Sequence, residues 1–168
     1  MADTVTIVVA EGRRMMRLAD ELAPDVFDAL LEEYQRLLRE VFSTMGGQDV
    51  ELDSDTVMAA FPTAKHAALA AVAAQRAVAV HEWPHAMRLA MSIGLDCGEA
   101  GAGWDGPAAH RCEELCDAAE GGQIFVTQEV SRLLDQDDLG ELSVRDLGEV
   151  PLRRTEHKVR AYELILPA

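Results

Sequence analysis

Three sets of residues in this 168-residue chain have types and spacings that could carry chemistry. The first is His110, Cys112 and Cys116, with Cys97 as a fourth possible ligand, a donor set that would suit zinc. On a helix, residues two apart diverge and residues four apart share a face, so the spacing suits only the Cys112–Cys116 pair. A metal site therefore competes with a plainer reading, buried thiols beside a lone surface or interface histidine. The second set is Arg13-Arg14, placed either to meet an anion at the start of a short helix or to stand as a surface pair. The third is the glycine-rich stretch Gly94 to Gly106, which follows no dinucleotide-fold pattern. Met15, Met16, Met45, Met58, Met87 and Met91 read as core or interface filling rather than as a cofactor box.

The elements that must position these residues follow from hydrophobic period. Thr4 to Ala10 is β-branched and apolar, the composition of a strand buried on both faces, and Arg13 to Leu22 reads as a short helix. From Val26 to Met45 apolar residues recur at one, three and four, predicting a long amphipathic helix with Asp25 as N-cap and Gly46-Gly47 as its stop. Strands are expected at Gln48 to Leu52 and Thr56 to Phe61, joined by a turn at Asp53-Ser54-Asp55. Thr63 caps an alanine-rich helix running to about Glu82, where Pro84 ends the run. Next come a strand at Met87 to Leu95, a loop or hairpin tip at Gly98 to Gly106, and a helix at Pro107 to Ala119. A strand at Gln123 to Thr127, a short helix at Gln128 to Leu134 and a strand at Leu142 to Leu147 follow. A last strand, Val159 to Leu166, is expected to pair with Val150 to Arg153. The order is β-α-β-β-α-β followed by α-β-α-β-β, so the fold class is α+β with a ferredoxin-like core (βαββαβ).

Composition narrows the partners. Lys and Arg total 15 against 30 Asp and Glu, a net charge of −15, while 49% of residues are hydrophobic. The core is thus well supplied, but a basic face for nucleic acid or an anionic membrane is missing, and neither partner is expected. The longest apolar run, Ala67 to Val80, contains Gln75 and Arg76 and falls short of a membrane span. Met1-Ala-Asp-Thr lacks a basic n-region, and three widely spaced cysteines make a disulfide framework improbable, so a reducing cytoplasm is expected.

Three stretches together resemble one family: the opening TVTIVVAEG; Gly46-Gly47 with DVELDSDTVMAAFPTAKHAALAAVAAQRAV from Asp49; and GPAAHRCEELCDAAEGGQIFVT from Gly106, with the closing RDLGEVPLRRTEHKVRAYEL. In collinear order from Thr4 to Leu164 the chain resembles the class III adenylate/guanylate cyclase homology domain in its compact bacterial form. The resemblance implies a single cyclase homology domain over 1–168 that dimerises, with nucleotide sites at the interface. In that family two aspartates hold two divalent metals, Mg2+ or Mn2+, on the triphosphate of ATP or GTP.

Carried over residue by residue, the resemblance places the first metal aspartate at Glu11 and the second at Asp55, flanked by Ser54 and Thr56 where the family has glycines. Glu11 keeps the charge but is one methylene longer, a displacement of about 1.5 Å that could cost on the order of 10²-fold in rate. The small pair that opens a helix under the triphosphate falls at Arg14 and Met15. The transition-state asparagine falls at His110 and its arginine at Glu114, an anion where charge stabilisation needs a cation. Glu51 stands at the first purine-reading position, and the second falls near Gly103. Arg153 and Arg154, with Lys158, stand where the family places a phosphate-contacting lysine. Glu51, Arg14, Arg153 and Arg154 are thus the nucleotide-binding candidates, and Glu11 and Asp55 the metal candidates.

These departures imply a degenerate domain: a dimerising signalling or regulatory module, pairing with itself or with another cyclase-like chain, in which nucleotide or metal binding survives or is lost. The alternative is an atypical active cyclase forming cyclic nucleotide and pyrophosphate with two divalent metals. Apolar Val57, Met58, Met91 and Trp104 are the residues expected to form the dimer face.

Overall fold

A computed structural model describes residues 3–166; residues 1, 2, 167 and 168 of the expected 1–168 domain lie outside them. Twelve principal elements are formed among the described residues: β1 (Thr4–Arg13), α1 (Met15–Glu21), α2 (Pro24–Thr44), β2 (Gln48–Asp53), β3 (Thr56–Phe61), α3 (Ala64–Val80), β4 (Ala90–Glu99), α4 (Pro107–Ala118), β5 (Ile124–Val126), α5 (Gln128–Leu134), β6 (Ser143–Pro151) and β7 (Lys158–Ile165). They build a seven-stranded sheet in the order β2-β3-β1-β4-β5-β7-β6. Its first four strands are antiparallel neighbours, the ferredoxin-like core. β5 adds parallel to β4, and the β6–β7 hairpin completes the far edge.

The β-branched run of β1 is central because both faces of the sheet are covered. Val8 and Ala10 pack into the larger core with α2 and α3, whereas Ile7 and Val9 pack under α4. In α2 the stripe Leu30, Tyr34, Leu38 and Phe42, spaced by four, is fully buried. Phe42 meets Phe61 of β3 edge-to-face at 6.0 Å, a geometry that contributes about 0.5–1.5 kcal/mol beyond area. Pro24 rather than Asp25 sets the start of this helix. Ala23 is the N-cap and makes no side-chain cap bond, and Asp25 serves as the acidic residue of the first turn. Thr63 does cap α3, accepting the His66 backbone N–H at 3.1 Å. Buried alanines such as Ala67, Ala71 and Ala74 then let α3 lie close to the sheet.

On the other face α4 sits closer still. A methyl at Gly94 of β4 would lie 2.4 Å from the Cys112 carbonyl oxygen, and one at Gly98 would lie 2.7 Å from the Ala108 methyl. The thiols of Cys112 and Cys116 donate to the Ile7 and Val9 carbonyls at 3.5 and 3.2 Å. Cys97 packs in the larger core on the opposite side of the sheet. Among the described residues the His110–Cys112–Cys116–Cys97 set is therefore no metal site, and no group of three His, Cys, Asp or Glu side chains is arranged to hold a metal.

Two further expectations are corrected. The strand placed at Met87 to Leu95 runs instead from Ala90 to Glu99. A 3-10 turn at Pro84–Ala86, with left-handed backbone at His85 and Ala86, occupies the approach to it. Pairing of Asp96 to Glu99 with Thr4 to Ile7 keeps Gly98 inside the strand. Val57, Met58 and Met91 form no dimer face. Val57 and Met91 are fully buried under α2 and α3, and Met58, 4% exposed, lies under α4. Only Trp104 of that set reaches the surface, half-buried against the α4 core. The two pieces expected around Leu142 and Val150 are one strand, β6, with a bulge between Asp146 and Gly148. At the opposite edge, β2 carries a second bulge between Gln48 and Glu51. No described helix is long and apolar enough to cross a membrane.

Candidate functional site

Two of the sequence candidates, Glu11 and Asp55, meet where β1 ends beside the β2–β3 turn. Glu11 lies opposite Thr56 in the β1–β3 ladder, and the Gly12 N–H donates to the Asp55 carbonyl at 3.0 Å. The turn is held from behind by α2. The buried Tyr34 hydroxyl donates to the Asp55 carbonyl at 3.0 Å, and the Gln35 amide donates to the Ser54 carbonyl at 2.7 Å. Ser54 takes the left-handed backbone (φ 56°) that closes the turn. Tyr34 and Gln35 were legible only as members of an amphipathic helix, because their role depends on what that helix packs against.

The two carboxylates open into a cleft of about 370 Å³ lined by Glu11, Asp53, Asp55, Trp104, Glu113 and Arg154. Burial raises the Glu11 carboxyl above its ordinary value; the Arg154 guanidinium opposes the rise and the Asp55 charge adds to it. Burial also raises Asp55, against hydrogen bonds from its own backbone N–H and from the Thr56 hydroxyl. Arg154, reaching in from the β6–β7 connection, donates from Nη2 to Glu11 Oε1 at 2.7 Å. Its Nε lies 3.3 Å from Asp117 Oδ1. The other oxygen of Asp117 accepts the backbone N–H groups of Arg153 at 2.8 Å and Arg154 at 3.1 Å. Asp117 is buried on α4 and fixes the turn that delivers Arg154. Nothing in the local sequence distinguishes it from Glu113 and Glu114 of the same helix.

The other candidates are dispersed. His110 and Glu114 are exposed on α4 and do not line this cleft, to which that helix contributes Glu113 instead. Arg153 pairs with the exposed Glu120, and Lys158 is exposed at the start of β7. Arg14 is exposed and left-handed (φ 61°) at the head of the seven-residue α1, a conformation that glycine adopts without the cost of about 1 kcal/mol borne by other residues. Arg13 is turned inward, donating to the Cys116 carbonyl at 3.4 Å. Glu51 and Gly103 do come together: a methyl at Gly103 would stand 3.9 Å from Glu51 Oε2. They line a second pocket of about 370 Å³ with Asp49, Glu99, Ile7 and Met58, on the α4 side of the sheet.

The side chains present do not fit a two-metal centre. Such a centre needs carboxylates free to bridge two cations. Glu11 is engaged by a guanidinium, and among the described residues no third ligand stands with Glu11 and Asp55 in a metal-holding group. What the cleft holds is four carboxylates, Glu11, Asp53, Asp55 and Glu113, and one arginine, which is ion-paired to Glu11 and to Asp117 beside the cleft.

No protein-family model matches the chain, and no curated protein matches it. Solved structures do. An adenylate cyclase from Trypanosoma brucei in its monomeric state superposes with a TM-score of 0.77 at 20% identity, over 96% of this chain and 88% of that one. The guanylate cyclase domain of RhGC from Catenaria anguillulae, in complex with GTP, gives 0.78 at 10% identity, over 98% and 97%. A non-canonical dimeric guanylyl cyclase domain of the RhoGC fusion protein from Blastocladiella emersonii gives 0.76 at 11% identity, over 97% and 96%. Likeness at these identities is likeness of fold, and the chain has the fold of the class III nucleotidyl cyclase homology domains.

Proposed function

We propose that this chain is a single degenerate cyclase homology domain of the compact bacterial kind, serving in the cytoplasm as a dimerising signalling or regulatory module. One observation carries the reading. The cleft at the family's metal positions presents Glu11, Asp53, Asp55 and Glu113, and its one cation among the described residues, Arg154, is held by Glu11 and Asp117. A triphosphate entering there meets carboxylates with no free compensating charge, and like charges near 4 Å cost roughly 4 kcal/mol each at an effective dielectric of about 20. The net charge works the same way, since a homodimer carries twice −15. With Val57, Met58 and Met91 buried, pairing with a twin or with another cyclase-like chain falls to Trp104 and the exposed side of α4, which carries His110 and Glu114.

The test is to incubate the purified protein with ATP or GTP and Mg2+ or Mn2+ and assay for cyclic nucleotide, with light scattering for the oligomer. The reading expects no product and a dimer at micromolar concentration. The active-cyclase alternative rests on the neighbouring placement of Glu11 and Asp55 across the β1–β3 ladder. Cyclic product that disappears in Asp55→Ala would establish it and remove the degenerate reading.

A further inference from the structure

The β6–β7 connection is anchored in a way that a solvent-exposed loop does not require. Asp117 takes two backbone N–H groups from it, at Arg153 and Arg154, and so fixes where the Arg154 side chain begins. The guanidinium then spans from Asp117 to Glu11. The two carboxylate side chains are nearly enclosed, 13% and 8% exposed, while Arg154 remains 68% exposed. Two largely desolvated anions from different elements, β1 and α4, are thus compensated by one cation supplied from a third. Removing that cation would leave Glu11 with only the weaker influence of Arg13 and Asp117 with only its backbone donors, a costly arrangement in a desolvated site.

We propose that Arg154 is a tethered cation that occupies the place of a metal ion at the end of β1 and closes Glu11 to divalent cations. This rests on the reading of the domain as degenerate and says by what means the cleft became independent of metal. The argument is chemical. A guanidinium is permanently protonated, presents several donors in a planar fork and can engage two carboxylates at once. Being covalently attached, it competes with free Mg2+ or Mn2+ at a high effective concentration. A divalent ion reaching Glu11 must displace it and leave Asp117 with its backbone donors alone. A guanidinium brings one positive charge where a metal brings two, and it has no open coordination position for a phosphate oxygen.

The experiment is a Mn2+ titration read by the electron paramagnetic resonance of free Mn2+, on wild type, Arg154→Ala and Arg154→Gln. Arg36→Ala serves as the control, because it uncovers a surface carboxylate, Glu40, remote from the cleft. The Arg154 variants are expected to gain one Mn2+ site at least about tenfold tighter than any in the wild type. Adding Glu11→Gln should remove the gain, and Arg36→Ala should show none. Arg154→Gln keeps a hydrogen-bonding side chain without the charge, and so serves if the alanine variant does not fold. Gains no larger than that of Arg36→Ala overturn the proposal. So does broadening of the Glu11, Gly12 and Asp55 amide signals by stoichiometric Mn2+ in the wild-type protein, an arm that needs no variant. Metal bound at Glu11 by the wild type without cyclic product refutes the Arg154 proposal alone, whereas cyclic product refutes the degenerate reading.

Discussion

Asp117→Ala tests whether a single carboxylate on α4 organises the β6–β7 connection. The substitution removes the acceptor of the Arg153 and Arg154 backbone N–H groups and one of the two anions on the Arg154 guanidinium. Hydrogen bonds to a charged acceptor contribute about 1.5–3 kcal/mol each. Here both donors share one oxygen and sit on exposed residues that water can reach, so the pair together falls near the value of one. The ion pair adds at most about 1 kcal/mol because Arg154 is mostly exposed. The expected loss is therefore about 2–3 kcal/mol, which for a domain of this length lowers Tm by about 4–12 °C. Asp117→Asn retains one acceptor oxygen and should lose about half as much. Thermal unfolding followed by circular dichroism measures the shift, and hydrogen exchange at the Arg153 and Arg154 amides reports the local effect. Exposed Glu114→Ala should move stability by no more than about 0.5 kcal/mol. An Asp117→Ala protein melting within 2 °C of wild type, with exchange at both amides unchanged, would refute the assignment.

Other consequences are open to measurement. Gly94→Ala would press a methyl against the Cys112 carbonyl 2.4 Å away, so α4 must lift from the sheet at a cost of about 1–3 kcal/mol; a variant as stable as wild type in urea would show that the helix has slack. Asp55 has a folded pKa above its ordinary 3.8, chiefly through burial, so the folded chain holds its proton more tightly than the unfolded one. Its contribution is then most favourable below 3.8 and declines as pH rises through the raised value. Asp55→Asn removes that decline and should be at least as stable as wild type at pH 7, and urea unfolding across pH with an unaltered slope would contradict it. Burial pushes the Cys97 thiol up to about 11 and raises Cys112 and Cys116 as well. A thiol-specific chromogenic disulfide should therefore label none of the three in the native protein at pH 8 and all three in denaturant; fast labelling of the folded chain would mean that α4 opens.

Much of the frame could be read from local pattern, because local pattern is what sets it. The β-branched run of β1, the spacing by four along α2 and the alanine stripe after Thr63 each predict an element that forms. What escaped depends on neighbours distant in sequence. Val57 and Met91 look the same whether they face a twin or α2, and the choice is made by the helices that cover their side of the sheet. The family resemblance places a catalytic position at Glu114, but helical phase turns its neighbour Glu113 toward the cleft. Arg154 read as a phosphate contact because nothing local reveals Glu11, 143 residues away in the chain, as its partner.

The bulges in β2 and β6 have a consequence for assembly. These are the two outer strands of the sheet, and each interrupts its ladder, β2 near Asp49 in left-handed backbone and β6 at Gly148. β6 also carries Arg145, Asp146 and Glu149 along its length. A broken, charged rim gives an incoming strand no continuous row of partners, which is how open sheets avoid templating fibrils. Growth of the sheet from chain to chain is therefore blocked at both ends. Any contact between chains then falls to side-chain faces rather than to strand addition at the sheet's edges.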